Sequence, residues 1–252
     1  MIRIHPNKAN IFSNLFNQIK SVNSDISLHL LPQTLFIQSM DFSHVSMMEV
    51  SIDKSWFDEF SLDKPESIGI STALLSKVFH THKSGQSIQI ELDTDNLIVS
   101  FLTNNKREKY FKMKLMEIDS ETMGIPDQDY SVEFDIETKI IKSIFDELSI
   151  FDESVSIECS NENGIDFHSK NDLCESCISI DQNKCLSYTI SSNMNISLNL
   201  RYLQLFSQFH KLSESVKISM LEDSPFRMEY SIGENSHIRF YLAPKMEDDY
   251  ED

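Results

Sequence analysis

Apolar positions along this chain switch between a helical and an alternating rhythm. Residues 8–20, KANIFSNLFNQIK, place Ile11, Phe12, Leu15, Phe16 and Ile19 on one helical face, with Asn10, Ser13, Asn14, Asn17 and Lys20 opposite. Runs at 26–31, 34–40 and 45–52 read as strands. Residues 72–83 predict a second helix that buries Leu74, Leu75, Val78 and Phe79. SIQIEL and NLIVSFL, joined through Thr94–Asp95, predict a hairpin, and 107–116 a further strand.

The same order then recurs. A helix over 138–151 buries Ile141, Ile144, Phe145 and Leu148, and strands follow around SVSIEC, GIDFHS and SCISID. Another helix over 200–212 precedes SVKISML, FRMEYSI and HIRFYLAP. LLSKVFH before SIQIEL matches LQLFSQFH before SVKISM, and KYFKMKLME matches HIRFYLAPKME. One supersecondary plan is used twice at a period near half the chain. This predicts an α+β protein of two similar domains, 1–116 and 131–252, joined by a connecting loop at 117–130. The loop is polar, with Glu117, Asp119, Glu121 and Asp127, and Pro126 biases Ile125 toward an extended backbone. Met123 and Ile125 flank Gly124, so this strap lies on a surface and offers something apolar to bind.

Composition changes the picture only in part. A hydrophobic content of 40% supports a sizeable core, and no run of about 18 apolar residues is present to cross a membrane. The N-terminus carries no signal-like apolar run, so a cytosolic or nuclear protein is expected, and the four cysteines read as reduced thiols. The net charge of −18 argues against a nucleic-acid binder until its distribution is considered. The four helical stretches hold only two acids, Asp146 and Glu147. Their bases are Lys8, Lys20, Lys77, Lys83, Lys139, Lys142, Arg201 and Lys211. On the fourth, Arg201, Gln204, Gln208 and Lys211 form one polar stripe opposite the core. Such residues meet phosphate oxygens without reading bases.

Four separated motifs, LFIQSMDFSHVSM (35–47), MKLMEIDSETMGIPDQDY (113–130), LRYLQLF (200–206) and HIRFYLAPKMED (237–248), resemble the eukaryotic-type DNA sliding clamp, the proliferating cell nuclear antigen family. The sequence between them departs as in a divergent viral or protist lineage. The resemblance implies two clamp domains, each with two helices beside antiparallel sheets, forming one third of a six-domain homotrimeric ring. It implies a processivity factor for replication and repair, located in the nucleus or a viral replication compartment. The ring encircles double-stranded DNA without sequence preference and tethers polymerase, ligase, nuclease and clamp loader through clamp-binding peptides. It implies no cofactor, metal or catalytic residue.

On the same resemblance, Lys20, Lys77, Arg107 and Arg201 match basic positions of the DNA channel, joined by His80 and Lys211. The partner-peptide site falls on Met40, His44, Val45 and Met47; on Met123, Gly124, Ile125 and Pro126; and on Pro225, Tyr241, Ala243, Pro244 and Met246. Met and Ile side chains suit an apolar cleft that adapts to several peptides. The subunit interface falls on Lys109, Phe111 and Met113, pairing with Cys177 and Ile178 of a neighbouring copy. Two features depart from the family: Asp146 and Glu147 on the third helix, and Asn161 near its ubiquitin-acceptor lysine.

Competing constellations are weaker. Cys174, Cys177 and Cys185 with His168 include one Cys-x-x-Cys pair, whereas structural zinc needs two paired ligand sets. His44 beside Asp41 and Ser43 lacks any supporting hydrolase motif. The alternatives are a heterotrimeric checkpoint-type clamp subunit, a monomeric viral processivity factor and, remotely, a hydrolase.

Overall fold

The computed structural model describes residues 1–118, 122–126 and 128–245. Asp119, Glu121 and Asp127 of the connector lie outside the described residues, as do Met246 and the acidic end after it. The chain divides into two compact units. Unit 1 holds residues 1–41, 48–124 and 231–238, and unit 2 holds 42–47, 125–230 and the segment from Arg239 on.

Unit 1 begins with β1 (Ile2–Ile4), α1 (Pro6–Ile19), β2 (Asp25–Leu30), β3 (Thr34–Met40) and β4 (Ser46–Asp53). It continues with β5 (Glu59–Phe60), β6 (Glu66–Ser71), α2 (Thr72–His80), β7 (Ser87–Asp93), β8 (Asn96–Thr103) and β9 (Lys106–Lys114). Unit 2 repeats this order with β10 (Val132–Glu137), α3 (Thr138–Leu148), β11 (Ser154–Ser160), β12 (Gly164–Lys170) and β13 (Glu175–Ile180). Then come β14 (Ser187–Ile190), β15 (Met194–Asn199), α4 (Leu200–Ser207), β16 (Ser215–Met220), β17 (Phe226–Gly233) and β18 (Ser236–Leu242), of which residues 231–238 belong to unit 1.

Strand order repeats as well. β5-β1-β7-β8-β9 in unit 1 corresponds to β14-β10-β16-β17-β18 in unit 2, and β6-β2-β3-β4 corresponds to β15-β11-β12-β13. The duplication read from the periodicity is therefore a duplication of topology. β9 and β13 each lie at one edge of their sheets, opposite β5 and β15.

Each core forms where a helix pair covers a sheet. In unit 1, Phe16 stacks on Phe79 at 5.0 Å, Phe12 meets Phe79 at 5.6 Å, and Trp56 Nε1 donates to the Ile232 carbonyl at 3.0 Å. In unit 2, Phe206 stacks on Phe240 at 4.6 Å, and the Tyr230 hydroxyl donates to the Phe206 carbonyl at 3.0 Å. Burying each such ring contributes about 1.5–3 kcal/mol.

Helix ends depart from the periodicity. Pro6 at the first turn starts α1 two residues before the predicted stretch, with the His5 side chain accepting from the Asn7 amide. α2 ends at His80, and α3 at Leu148. α4 ends at Ser207, and Gln208–Lys211 tighten into a 3-10 turn, so the polar stripe does not run along one helix. Leu74 is not core: its side chain is 41% exposed, because nine residues of α2 bury only one narrow stripe. Ser13, placed by periodicity on the polar face, is buried.

Gly69 positions the start of the connector. The Met116 amide donates to the Gly69 carbonyl at 2.9 Å, and a Cβ at Gly69 would meet the Met116 oxygen at 2.4 Å and Ile118 at 2.6 Å. Only glycine lets the backbone come this close.

Candidate functional site

In unit 1 the connector is held by a side chain that mimics a strand. Gln38, buried on β3, accepts from the Met123 amide at 2.6 Å through Oε1 and donates to the Met123 carbonyl at 2.9 Å through Nε2. Its Nε2 also lies 3.3 Å from Glu49 Oε2. With both backbone groups of Met123 satisfied, its thioether stays exposed, next to exposed Gly124. Met40 closes β3, half-buried. Gln38 escaped the motif reading, although alternation puts it on the face of Met40 and away from Leu35 and Ile37.

In unit 2 the loop 42–47 is tied to the end of β18. The Val45 carbonyl accepts from the Ala243 amide at 2.9 Å, and the Lys245 amide then donates to the Ser197 carbonyl at 2.8 Å. His44 makes the turn with φ 56° and is exposed. Pro225, Pro126 and Pro244 are exposed, and Ile125 and Ala243 half-buried. Tyr241 is only 7% exposed, and Met47 is likewise buried, so each shows little surface. Phe42, passed over inside the polar run DFSH, is 95% exposed.

Beside these residues the Arg227 guanidinium lies 4.3 Å from the Tyr130 ring centre and 3.3 Å from Glu133 Oε1. Burial pushes the Tyr130 phenol upward, and Arg227 and Arg239 pull it back only in part. Lys217 joins Glu133 at 2.9 Å, and Gln128 reaches Ser224 Oγ at 3.5 Å. None of this network was legible as a motif, because its members are scattered from 128 to 239.

The basic residues of the helical stretches separate into two groups. Lys20, Lys77, Lys83, Lys139, Arg201 and Lys211 are exposed, as is His80. Lys8 donates to the Trp56 carbonyl and pairs with Glu234 at 3.2 Å, while Lys142 pairs with Asp146 one turn on. Arg107 stands on β9, where it pairs with Glu91 at 3.1 Å.

Two family models cover nearly the whole sequence: Proliferating cell nuclear antigen, N-terminal domain, over residues 1–122, and Proliferating cell nuclear antigen, C-terminal domain, over residues 124–245. The chain belongs to the proliferating cell nuclear antigen family. It is 29% identical to the Proliferating cell nuclear antigen of Caenorhabditis elegans, over 96% of this chain and 95% of that protein. It is 27% identical to that of Chaetomium thermophilum, over 99% and 100%. It is 28% identical to Proliferating cell nuclear antigen 2 of Drosophila melanogaster, over 98% and 99%. The protein is thus a DNA sliding clamp and not an enzyme. Clamps of this family act as homotrimers that bind DNA, polymerase and other partners. The heterotrimeric, monomeric and hydrolase alternatives are not needed.

Two of the clamp's edge strands, β9 and β13, carry the residues assigned to assembly. On β9, Phe111 lies 6.0 Å from Phe101, Lys109 donates to the Thr81 carbonyl, and Lys112 pairs with Asp93 at 2.6 Å. Met113 is 3% exposed, so its side chain belongs to the core of unit 1 and only its backbone lies on the edge. On β13, Cys177 is exposed and Ile178 half-buried. Near that strand the sequence reading missed Leu173, 97% exposed, and the exposed pair Ile150 and Phe151. The Asn171 side chain donates to the Phe151 carbonyl and accepts from the Leu173 and Cys174 amides, which holds these apolar residues around one turn. Cys177 Sγ lies 3.9 Å from His168 Nε2. Among the described residues no group of three or more His, Cys, Asp or Glu is placed to hold a metal ion.

Proposed function

We propose that this clamp, working in the nucleus or a viral replication compartment, holds its partners through peptides bearing one aliphatic and one or two aromatic anchors. The connector 117–130, between the domains 1–116 and 131–252, is the strap over which they dock. His44, Val45, Met47, Ile125, Pro126, Pro225, Tyr241, Ala243 and Pro244, all in unit 2, supply the docking surface; Met40, Met123 and Gly124 stand in unit 1 and carry the same assignment on the family resemblance alone. Met246 belongs to the same proposal but lies outside the described residues. The bond from the Ala243 amide to the Val45 carbonyl carries this reading, because it ties loop 42–47 to the half-buried Ala243 and exposed Pro244 that follow β18. Backbone that continues a strand accepts an added strand, while a few apolar anchors supply most of the affinity.

The reading extends to DNA and to assembly. Lys20, Lys77, Arg201 and Lys211, with His80 and Arg107, contact phosphates in a screened, sequence-independent way that permits sliding. The backbone edge of β9 at Lys109, Phe111 and Met113 pairs with β13 of the next copy at Cys177 and Ile178. Covering Ile150, Phe151 and Leu173 adds apolar burial to that pairing.

Calorimetry with a peptide from the cognate polymerase tests the docking site. Ile125→Ala combined with Tyr241→Ala should cost roughly 2–4 kcal/mol of binding while the trimer persists in light scattering. Full affinity in the double variant would move the partner site elsewhere.

A further inference from the structure

Three side chains of unit 1 form a row that starts at the connector. Gln38 on β3 accepts from the Met123 amide at 2.6 Å and donates to the Met123 carbonyl at 2.9 Å. The same Nε2 donates to Glu49 Oε2 on β4 at 3.3 Å, and Glu49 Oε1 lies 3.7 Å from His237 Nε2 on β18. Gln38 and Glu49 are both buried. His237 Nε2 is buried too, with no hydrogen-bond partner among the described residues. A carboxylate only accepts, so Glu49 requires the NH2 of Gln38 and not its oxygen. Turned over, Gln38 would set Oε1 against two acceptors, the Glu49 carboxylate and the Met123 carbonyl. Glu49 therefore fixes which way the Gln38 amide faces, and burial makes the choice strict, because a mismatched polar pair is costly where water is excluded. In β12, the strand of unit 2 equivalent to β3, the fifth residue is His168 where β3 has Gln38. His168 is half-buried and lies 3.9 Å from the exposed Cys177. The buried Gln–Glu pair thus belongs to the half that the connector leaves.

We propose that Gln38 is a positioning residue for partner docking and that Glu49 locks it in place, the two forming a latch that holds the connector at Met123, two residues before Ile125. The proposal rests on the docking reading above. The connector has a second fixed point, the Met116 amide on the Gly69 carbonyl, but that is a backbone bond which no side-chain rotation undoes. The hold at Met123 hangs on one side chain, so it opens without any loss of strand pairing. Latched, residues 123–126 are already ordered when a peptide arrives, and no further entropy is lost in fixing them. Unlatched, each binding event has to order them again.

Hydrogen exchange of the Met123 amide, with calorimetry of a synthetic peptide carrying one aliphatic and two aromatic anchors, tests this on the full-length clamp. Gln38→Leu should lower the protection of that amide roughly ten- to hundredfold, as two lost hydrogen bonds require, and weaken the peptide roughly three- to tenfold. Light scattering should still show the trimer. Glu49→Gln lets the Gln38 amide face either way and should lower the protection by less. Gln38→Glu is the diagnostic variant. At about pH 8 it sets a second carboxylate against Glu49 and the Met123 carbonyl, and the connector should open. At about pH 5.5 two carboxylates this close share a proton, and a neutral carboxyl copies the amide with OH in place of NH2. Protection and affinity should then return toward those of the wild type at the same pH, a comparison that cancels any contribution of His237. Gln38→Leu should show no such recovery, and neither would a residue that acts only by packing. Unchanged protection in Gln38→Leu or in Glu49→Gln, or a Gln38→Glu variant that stays open in acid, overturns the latch. Ile125→Ala separates the two levels. If it weakens the peptide while Gln38→Leu frees Met123 without weakening it, only the positioning role fails; if neither weakens it, the docking reading fails and the positioning role with it.

Discussion

The segments leaving β9 and β18 occupy equivalent positions in the two units and make the same backbone bond. The Met116 amide donates to Gly69 of β6, and the Lys245 amide donates to Ser197 of β15, at 2.9 and 2.8 Å. What differs is the side chain beneath. Ile118 presses onto Gly69, where even a methyl group would collide, whereas Ser197 keeps its side chain and lines an open groove beside Pro244. A duplicated plan therefore preserves main-chain geometry and lets side chains diverge. Unit 1 uses its exit to anchor the connector, and unit 2 uses its exit to present surface.

The sharpest way to break this comparison is at the edge strands β9 and β13. Phe111→Asp in unit 1 and Ile178→Asp in unit 2 should each turn the trimer into monomers at micromolar concentration in sedimentation. Agreement between the two sites matters, because either strand alone could be coincidental. A trimer that survives Ile178→Asp would show that β13 does not pair.

Next in size, Gly69→Ala should destabilise the clamp by about 1–3 kcal/mol in urea unfolding, since Met116 and Ile118 must both move. Ser197→Gly should cost under about 1 kcal/mol, mainly through chain entropy. Equal losses would mean that the two exits are equally tight.

DNA binding should divide along the same line. Lys20→Ala with Lys77→Ala should lower the salt slope of duplex binding by up to about 0.9 for each phosphate that is no longer neutralised. Lys142→Ala should change it little, because Asp146 already neutralises that lysine. Fluorescence anisotropy across a salt series reads both. A loss that depends on DNA sequence would contradict the sliding mode.

The smallest contrast is in pH. In unit 1, burial holds the His82 imidazole below 6.5, with the Gln86 carbonyl opposing and Lys109 assisting. The unfolded chain then takes up that proton first, so stability falls as pH drops through 6.5. In unit 2, burial pushes the Cys159 thiol up to about 12, with Cys185 and Asp166 adding to it. The unfolded thiol ionises from about pH 9, so stability is full below 9 and falls as pH rises toward 12. His82→Gln should flatten only the acid limb of the urea midpoint against pH, and Cys159→Ala only the alkaline limb.

The chain's own pattern determined the two-fold plan, because helical and alternating spacing follow from local geometry and each half repeats them in order. It also determined which helices avoid acids and which short motifs mark the family. Tertiary structure alone decided the rest. Leu74, apolar in a helical pattern, is exposed because α2 is too short to bury a second row. Met113, read as an edge residue, turned inward, and Ile150, Phe151 and Leu173 came together around Asn171 from places 20 residues apart. Gln38 on Met123 and Arg227 on Tyr130 each bring distant segments together. Periodicity reports which way a residue faces along its own element; which residue it meets depends on how the elements pack.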